Sequence, residues 1–215
     1  MIKSVISVAA LSLLLPSCGG SSYTYQGYRM SEQFPLDGDR EWQYLNDSEG
    51  VEHPMRVEKI ATPTMKNGAE VYTLEYYNEE TGDIVRAVDW SSDSVNGVQI
   101  HGYVDYTTDG EEVSFEPPIV FADDKMVAGA FVVTETGGYT FTSTLVMSEA
   151  CPNHYVPDWE DCLKMVLDDG DGDDSTGALV AGEYWLVPSY GTAWFRMTPD
   201  TDNWRLWKHD WEPTD

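Results

Sequence analysis

The sequence predicts an all-β fold: a single domain of antiparallel hairpins forming a curved sheet, a sandwich or an open barrel. Three observations carry this expectation. Apolar and polar residues alternate with a period of two over most of the chain from Ser31 onward, and such alternation marks half-buried strands. Short Gly-, Asp- and Asn-rich segments separate these runs at hairpin spacing, as tight turns between strands require. Helical periodicity beyond the first apolar run is scarce.

The elements follow in order. Residues 19–29, GGSSYTYQGYR, read as a flexible tether, with an r.m.s. reach of roughly 15–20 Å. Glu70–Tyr77 alternates cleanly: Tyr72, Leu74 and Tyr76 share one face, and Val71, Thr73 and Glu75 the other. A turn over Asn78–Asp83 leads to a strand over Ile84–Trp90. A turn at Ser91–Gly97, a strand over Val98–Tyr106, a turn at Thr107–Gly110 and a strand over Glu112–Phe115 follow. Pro117 and Pro118 interrupt the pattern. Because proline cannot donate to a central ladder, Glu116–Phe121 is expected to cross between two sets of hairpins. Met126–Thr134 and Tyr139–Met147 are the next strands, with a turn at Glu135–Gly138, and Pro157–Asp161 is the best site for a short helical turn. The expected total is about ten to twelve strands, enough for one sandwich or barrel-like sheet.

The first two dozen residues carry an address. Lys3 precedes an apolar run from Val5 to Leu15, which is too short to span a bilayer and has the layout of a secretory signal. Leu15-Pro16-Ser17-Cys18 resembles the lipobox of bacterial lipoproteins, whose cysteine is lipidated and becomes the first residue. That resemblance implies a signal peptide over 1–17, a lipidated (palmitate-bearing) Cys18 with its tether over 18–30, and a β-rich domain over 31–215. It also implies a lipid-anchored envelope location. Gly19 after the cysteine favours the outer membrane, on its periplasmic or surface face, in a diderm host.

Composition narrows the partners. The formal net charge is −26, with 12 Lys+Arg against 38 Asp+Glu. Such a chain is repelled by phosphate backbones and anionic lipid surfaces, so nucleic acid is not expected as a partner. The acidity does not signal disorder, because 8 Trp and 13 Tyr supply ample apolar material. Setting Cys18 aside for lipid leaves Cys151 and Cys162, which in an oxidising compartment read as a disulfide.

A second resemblance spans most of the remaining chain. Phe34-Pro35-Leu36-Asp37-Gly38-Asp39-Arg40-Glu41-Trp42-Gln43-Tyr44 resembles the FPL…G..W.Y opening of a group of uncharacterised β-rich bacterial envelope proteins. Pro117-Pro118, Cys162-Leu163-Lys164 and the hairpin Tyr184–Gly191 match further features of that group, with Ser189 where its members carry glycine. The resemblance implies an exported β-rich domain and carries no catalytic residues across.

Two constellations are candidate sites. Asp169, Asp171 and Asp173 lie in an Asp/Gly run of the kind Ca²⁺ favours. However, Asp174 and Val180 stand where an EF-hand loop needs glycine and a bidentate glutamate, and a solvated loop is the competing reading. Trp185, Trp194, Trp204 and Trp207 crowd the last part of the chain as a candidate aromatic surface for a carbohydrate, protein or lipid ligand. Core strands are the alternative there. The four histidines are scattered, with His101 expected to be a satisfied structural residue, and no HExxH, G-x-S-x-G or phosphate-loop motif occurs. The expectation is a non-enzymatic envelope binding or structural module. A lipid or lipoprotein carrier with a cavity on the Tyr72/Leu74/Tyr76 face is the first rival, and an envelope hydrolase the second.

Overall fold

The computed structural model describes residues 27–46, 53–152, 161–170, 179–197 and 202–209. Its elements are β1 (Tyr28–Arg29), α1 (Met30–Gln33), β2 (Glu41–Asn46), β3 (His53–Lys59), β4 (Thr64–Lys66), β5 (Ala69–Asn78), β6 (Ile84–Asp93) and β7 (Gly97–Asp105). They continue with β8 (Glu111–Ala122), β9 (Lys125–Met126), β10 (Phe131–Thr136), β11 (Tyr139–Ala150), β12 (Asp161–Asp168), β13 (Gly182–Val187), β14 (Gly191–Met197) and β15 (Trp204–His209). The fold is all-β, as the alternation predicts.

Consecutive strands pair antiparallel, in the order β10-β11-β12-β13-β14-β15-β2-β3-β5-β6-β7-β8, with β4 attached to β5. The C-terminal strand β15 lies beside β2, pairing Trp204 with Asn46 and His209 with Trp42. This joins two meanders into one sheet that curls until its edges, β8 and β10, meet. Side chains bridge that seam. The Val120 amide donates to Thr134 Oγ1 at 3.1 Å, and the buried Ser143 hydroxyl donates to the Phe121 carbonyl. The result is a nearly closed barrel.

A wide barrel leaves more interior than alternating aliphatic side chains fill. Here aromatic residues fill much of it. Trp90, Phe121 and Tyr184 meet edge to face at centroid distances of 5.3 and 5.1 Å, a geometry that aromatic quadrupoles favour. Leu74 and Tyr76 point into this core and Tyr72 packs at its margin. On the opposite face of β5, Val71 is also buried, with Thr64 of β4 as its ladder partner.

The N-terminal segment closes one end of the barrel. Met30 is wholly buried, with Phe34 and Leu36 nearly so, and Phe34 packs on Trp90 at 4.6 Å. β1 pairs with β9, and the Met30 amide donates to the Asp124 carbonyl at 2.7 Å. The fold therefore begins by Tyr28, earlier than a tether running to residue 30 implies. The physical reason is Met30, an apolar residue in an otherwise polar stretch that supplies the first core contact.

Two other expectations change. Pro117 and Pro118 lie within β8 rather than between hairpin sets. β8 is an edge strand, and its ladder to β7 skips from Ser114 opposite Gly102 to Ile119 opposite Ile100. The prolines fall in that gap, where no ladder donor is missed. The strand expected over Met126–Thr134 is split by a turn at 127–130, in which the Ala130 amide donates to Val127 and Gly129 adopts φ +83°. The helical turn expected near Pro157 lies outside the described residues. α1 is the helix among the described residues, and its four residues are too few to show a period.

Candidate functional site

Three alternating residues of β2 and its approach explain why the closed end stays closed. Arg40 Nη1 donates to the Ser189 carbonyl at 3.0 Å, Trp42 Nε1 to Tyr190 at 2.8 Å, and the Tyr44 hydroxyl to Thr192 at 2.8 Å. The Ser189 amide returns a bond to the Glu32 carbonyl at 3.0 Å. Ser189 itself has φ +67°, a conformation that costs a non-glycine residue. The Phe34–Tyr44 and Tyr184–Gly191 segments are thus two halves of one structural lock.

β2 runs from that lock to the other end of the barrel, where Asn46 borders a recess of about 350 Å³. The ends of β3, β5, β6, β14 and β15 contribute Met55, Tyr76, Arg86, Phe195, Met197 and Trp204 to its walls. Asn78, Glu80, Thr107 and Asp202 lie around them. The volume falls within the roughly 300–1,000 Å³ of small-molecule sites, and a mostly apolar wall with few polar groups is their usual composition.

Arg86 is the cation of the recess. Val88 and Trp90, on the same strand face, enter the core, so alternation carries Arg86 inward as well. Its Nη1 donates to the Leu179 carbonyl at 3.0 Å and contacts Met197 sulfur at 2.9 Å. Among the described residues no carboxylate forms an ion pair with it. Nη2 and Nε, with three N–H groups between them, have no hydrogen-bond partner among the described residues.

Tyr76 adjoins it. The side chain is buried, with 6% of the residue exposed, and its ring meets Phe195 edge-on at 6.1 Å. Its hydroxyl makes no hydrogen bond among the described residues. Burial pushes the phenol above its ordinary pKa, and the Arg86 charge partly opposes that shift. Arg86 also acts on Asp105. Burial raises that carboxyl, but hydrogen bonds from Thr107 and Thr108, with a smaller contribution from Arg86, leave it below the usual range.

The four candidate tryptophans do not form one surface. Trp204 borders the recess and stacks on Phe195 with rings inclined by 21°. Trp185 and Trp194 are cross-strand partners on the outside of the barrel, 4.0 Å apart and edge to face. They are buried with Cys162 in a satellite cluster. Trp207 is 40% exposed and lies under the Lys208 ammonium at 3.7 Å. A disulfide joins Cys151 to Cys162, fastening β12 beside that outer cluster.

Cys18, Asp171 and Asp173 lie outside the described residues. Asp169 is described, and among the described residues no group of three or more His, Cys, Asp or Glu side chains converges to hold a metal.

A second depression, lined by Lys66, Ser114 and Glu116, contains His101. His101 Nε2 lies 2.9 Å from Ser91 Oγ, and both residues are buried. The nearby Asp89 receives bonds from Lys66 Nζ at 2.7 Å and Thr73 Oγ1 at 2.6 Å instead of from the imidazole. With the hydroxyl buried and no carboxylate hydrogen-bonded to the histidine among the described residues, the described pair does not show the layout of a nucleophile and its oriented base.

The chain has no significant match to a family model, a curated protein or a solved structure.

Sequence reasoning missed Arg86 and the recess. The signal was present: one arginine on the face that carries Val88 and Trp90, in a chain with few cations. Which strand ends surround it follows from barrel closure, which periodicity does not encode.

Proposed function

We propose that this protein is a membrane-anchored envelope lipoprotein acting as a non-enzymatic binding module, and that it seats a small ligand at the open end of the barrel. The observation carrying this reading is the recess of about 350 Å³, walled by Tyr76, Phe195, Met197 and Trp204 with Arg86 among them. Aromatic filling of the remaining interior favours a small ligand over a carrier's long acyl chain. The lipobox supplies the attachment, through acyl chains on Cys18.

The neutral probe N-phenyl-1-naphthylamine tests the seat. It is expected to bind saturably at one site per chain, with enhanced fluorescence. Val85 also lines the recess, and Val85→Trp, which adds bulk there, should weaken that binding at least tenfold while far-UV circular dichroism stays native. Absence of saturable binding to the native protein overturns the reading.

A further inference from the structure

The chemistry of the recess specifies its ligand class; this inference rests on the seat proposed above. We infer that the recess binds a small amphipathic monocarboxylate, its carboxylate held by Arg86 and Tyr76 and its apolar body against Phe195, Met197 and Trp204.

Two independent features point to an oxygen anion. The first is the donor surplus on Arg86. Its Nη1 is used by Leu179 and Met197, while Nε and one N–H of Nη2 form the fork that matches the two oxygens of a carboxylate. The second is Tyr76, buried in the same wall with a hydroxyl that no described residue engages. That hydroxyl lines the recess, and a phenolic O–H there can donate to a ligand oxygen. Both features come from neighbouring strands, since Tyr76 is the ladder partner of Arg86.

The surroundings select the charge and the shape. Glu80 and Asp202 border the recess, and Asp105 lies close enough to exchange charge effects with Arg86. A dianion would meet these carboxylates at greater cost than a monoanion, because repulsion grows with the product of the charges. The net charge of −26 also repels anions at long range, so a bare inorganic anion gains little. An apolar body supplies the missing attraction by leaving water against aromatic walls. Recognition is therefore short-range and requires both ends of the ligand.

Calorimetric titration of the native protein with octanoate, 1-octanol and octylamine separates these contributions. Octanoate is expected to bind at least tenfold more tightly than 1-octanol, and octylamine more weakly than either. Arg86→Gln should abolish the octanoate advantage over 1-octanol, and Arg86→Lys should retain part of it. Equal affinity of the native protein for octanoate and 1-octanol, or a preference for octylamine, overturns the headgroup assignment, even where naphthylamine binding upholds the seat. Absence of binding by all three alkyl probes overturns this inference, and the naphthylamine titration then decides separately whether the seat survives. Since the three-ligand series on the native protein is decisive alone, a variant that fails to fold leaves the outcome intact.

Discussion

His101 shows how a single residue can look chemical and act structurally. Burial lowers its pKa first, the Lys66 charge lowers it further, and Asp89 partly offsets both. A base with a depressed folded-state pKa takes up its proton more readily when unfolded. Stability is therefore complete above the ordinary histidine value of about 6.5 and declines as pH falls through it toward the folded value. His101→Gln, which can still bond Ser91, removes this contribution. Chemical denaturation at pH 7 and pH 5 should show a smaller loss in the variant than in the native protein, and an unchanged pH dependence would contradict the account. At this scale the sequence was readable for His101, a histidine on an alternating strand. Arg86 was harder, because one charge on an apolar face acquires meaning only when the neighbouring walls are known.

At the scale of elements, strand identity was legible and the locks between strands were not. The alternation around Tyr72, Leu74 and Tyr76 gave the correct inward face because side chains on a strand point alternately to either side. The bonds from Arg40, Trp42 and Tyr44 to residues 189–192 join segments far apart in sequence, and no local period encodes them. Arg40 also donates to the carbonyl and carboxylate of Asp37, each at 2.8 Å, which fixes the segment following Met30–Leu36. Arg40→Ala would remove charge-assisted hydrogen bonds to the part-buried Asp37 and Ser189 carbonyls, a loss of about 1.5–3 kcal/mol. A denaturant midpoint lowered with little change in slope should report it. Hydrogen exchange should rise first in Met30–Leu36, whereas uniform acceleration across the barrel would refute a local lock. The tryptophans teach the converse lesson. Crowding in sequence did not become one surface, because alternation along β13 and β14 sends Tyr184 and Phe195 inward but Trp185 and Trp194 outward.

For the whole molecule, charge and attachment oppose each other. A domain of this acidity is repelled by an anionic bilayer, so the proposed anchoring would rest on acyl chains at Cys18 alone. At about 0.8 kcal/mol per buried CH₂, more than one acyl chain gives stable anchoring. Cys18→Ser should therefore move the protein from the membrane fraction to the soluble fraction, or accumulate an uncleaved precursor. Acylated, membrane-bound Cys18→Ser protein would disprove the lipobox assignment. The all-β class was legible from period two and turn chemistry; closure was not, since it depends on β2 meeting β15 and β8 meeting β10.

The β15–β2 pairing also has a consequence for the order of assembly. Synthesis delivers β2 well before its ladder partner β15, in which Trp204 pairs with Asn46. Until residues 188–190 arrive, Arg40 lacks the Ser189 carbonyl that it grips, and until β15 arrives one edge of β2 has no mate. Long-range closure of this kind is slow, and open edges invite pairing with other chains. Loss of β15 would leave two ladder edges exposed, on β14 and on β2, which lie far apart in sequence. The earliest and latest parts of this barrel therefore reach their native state together.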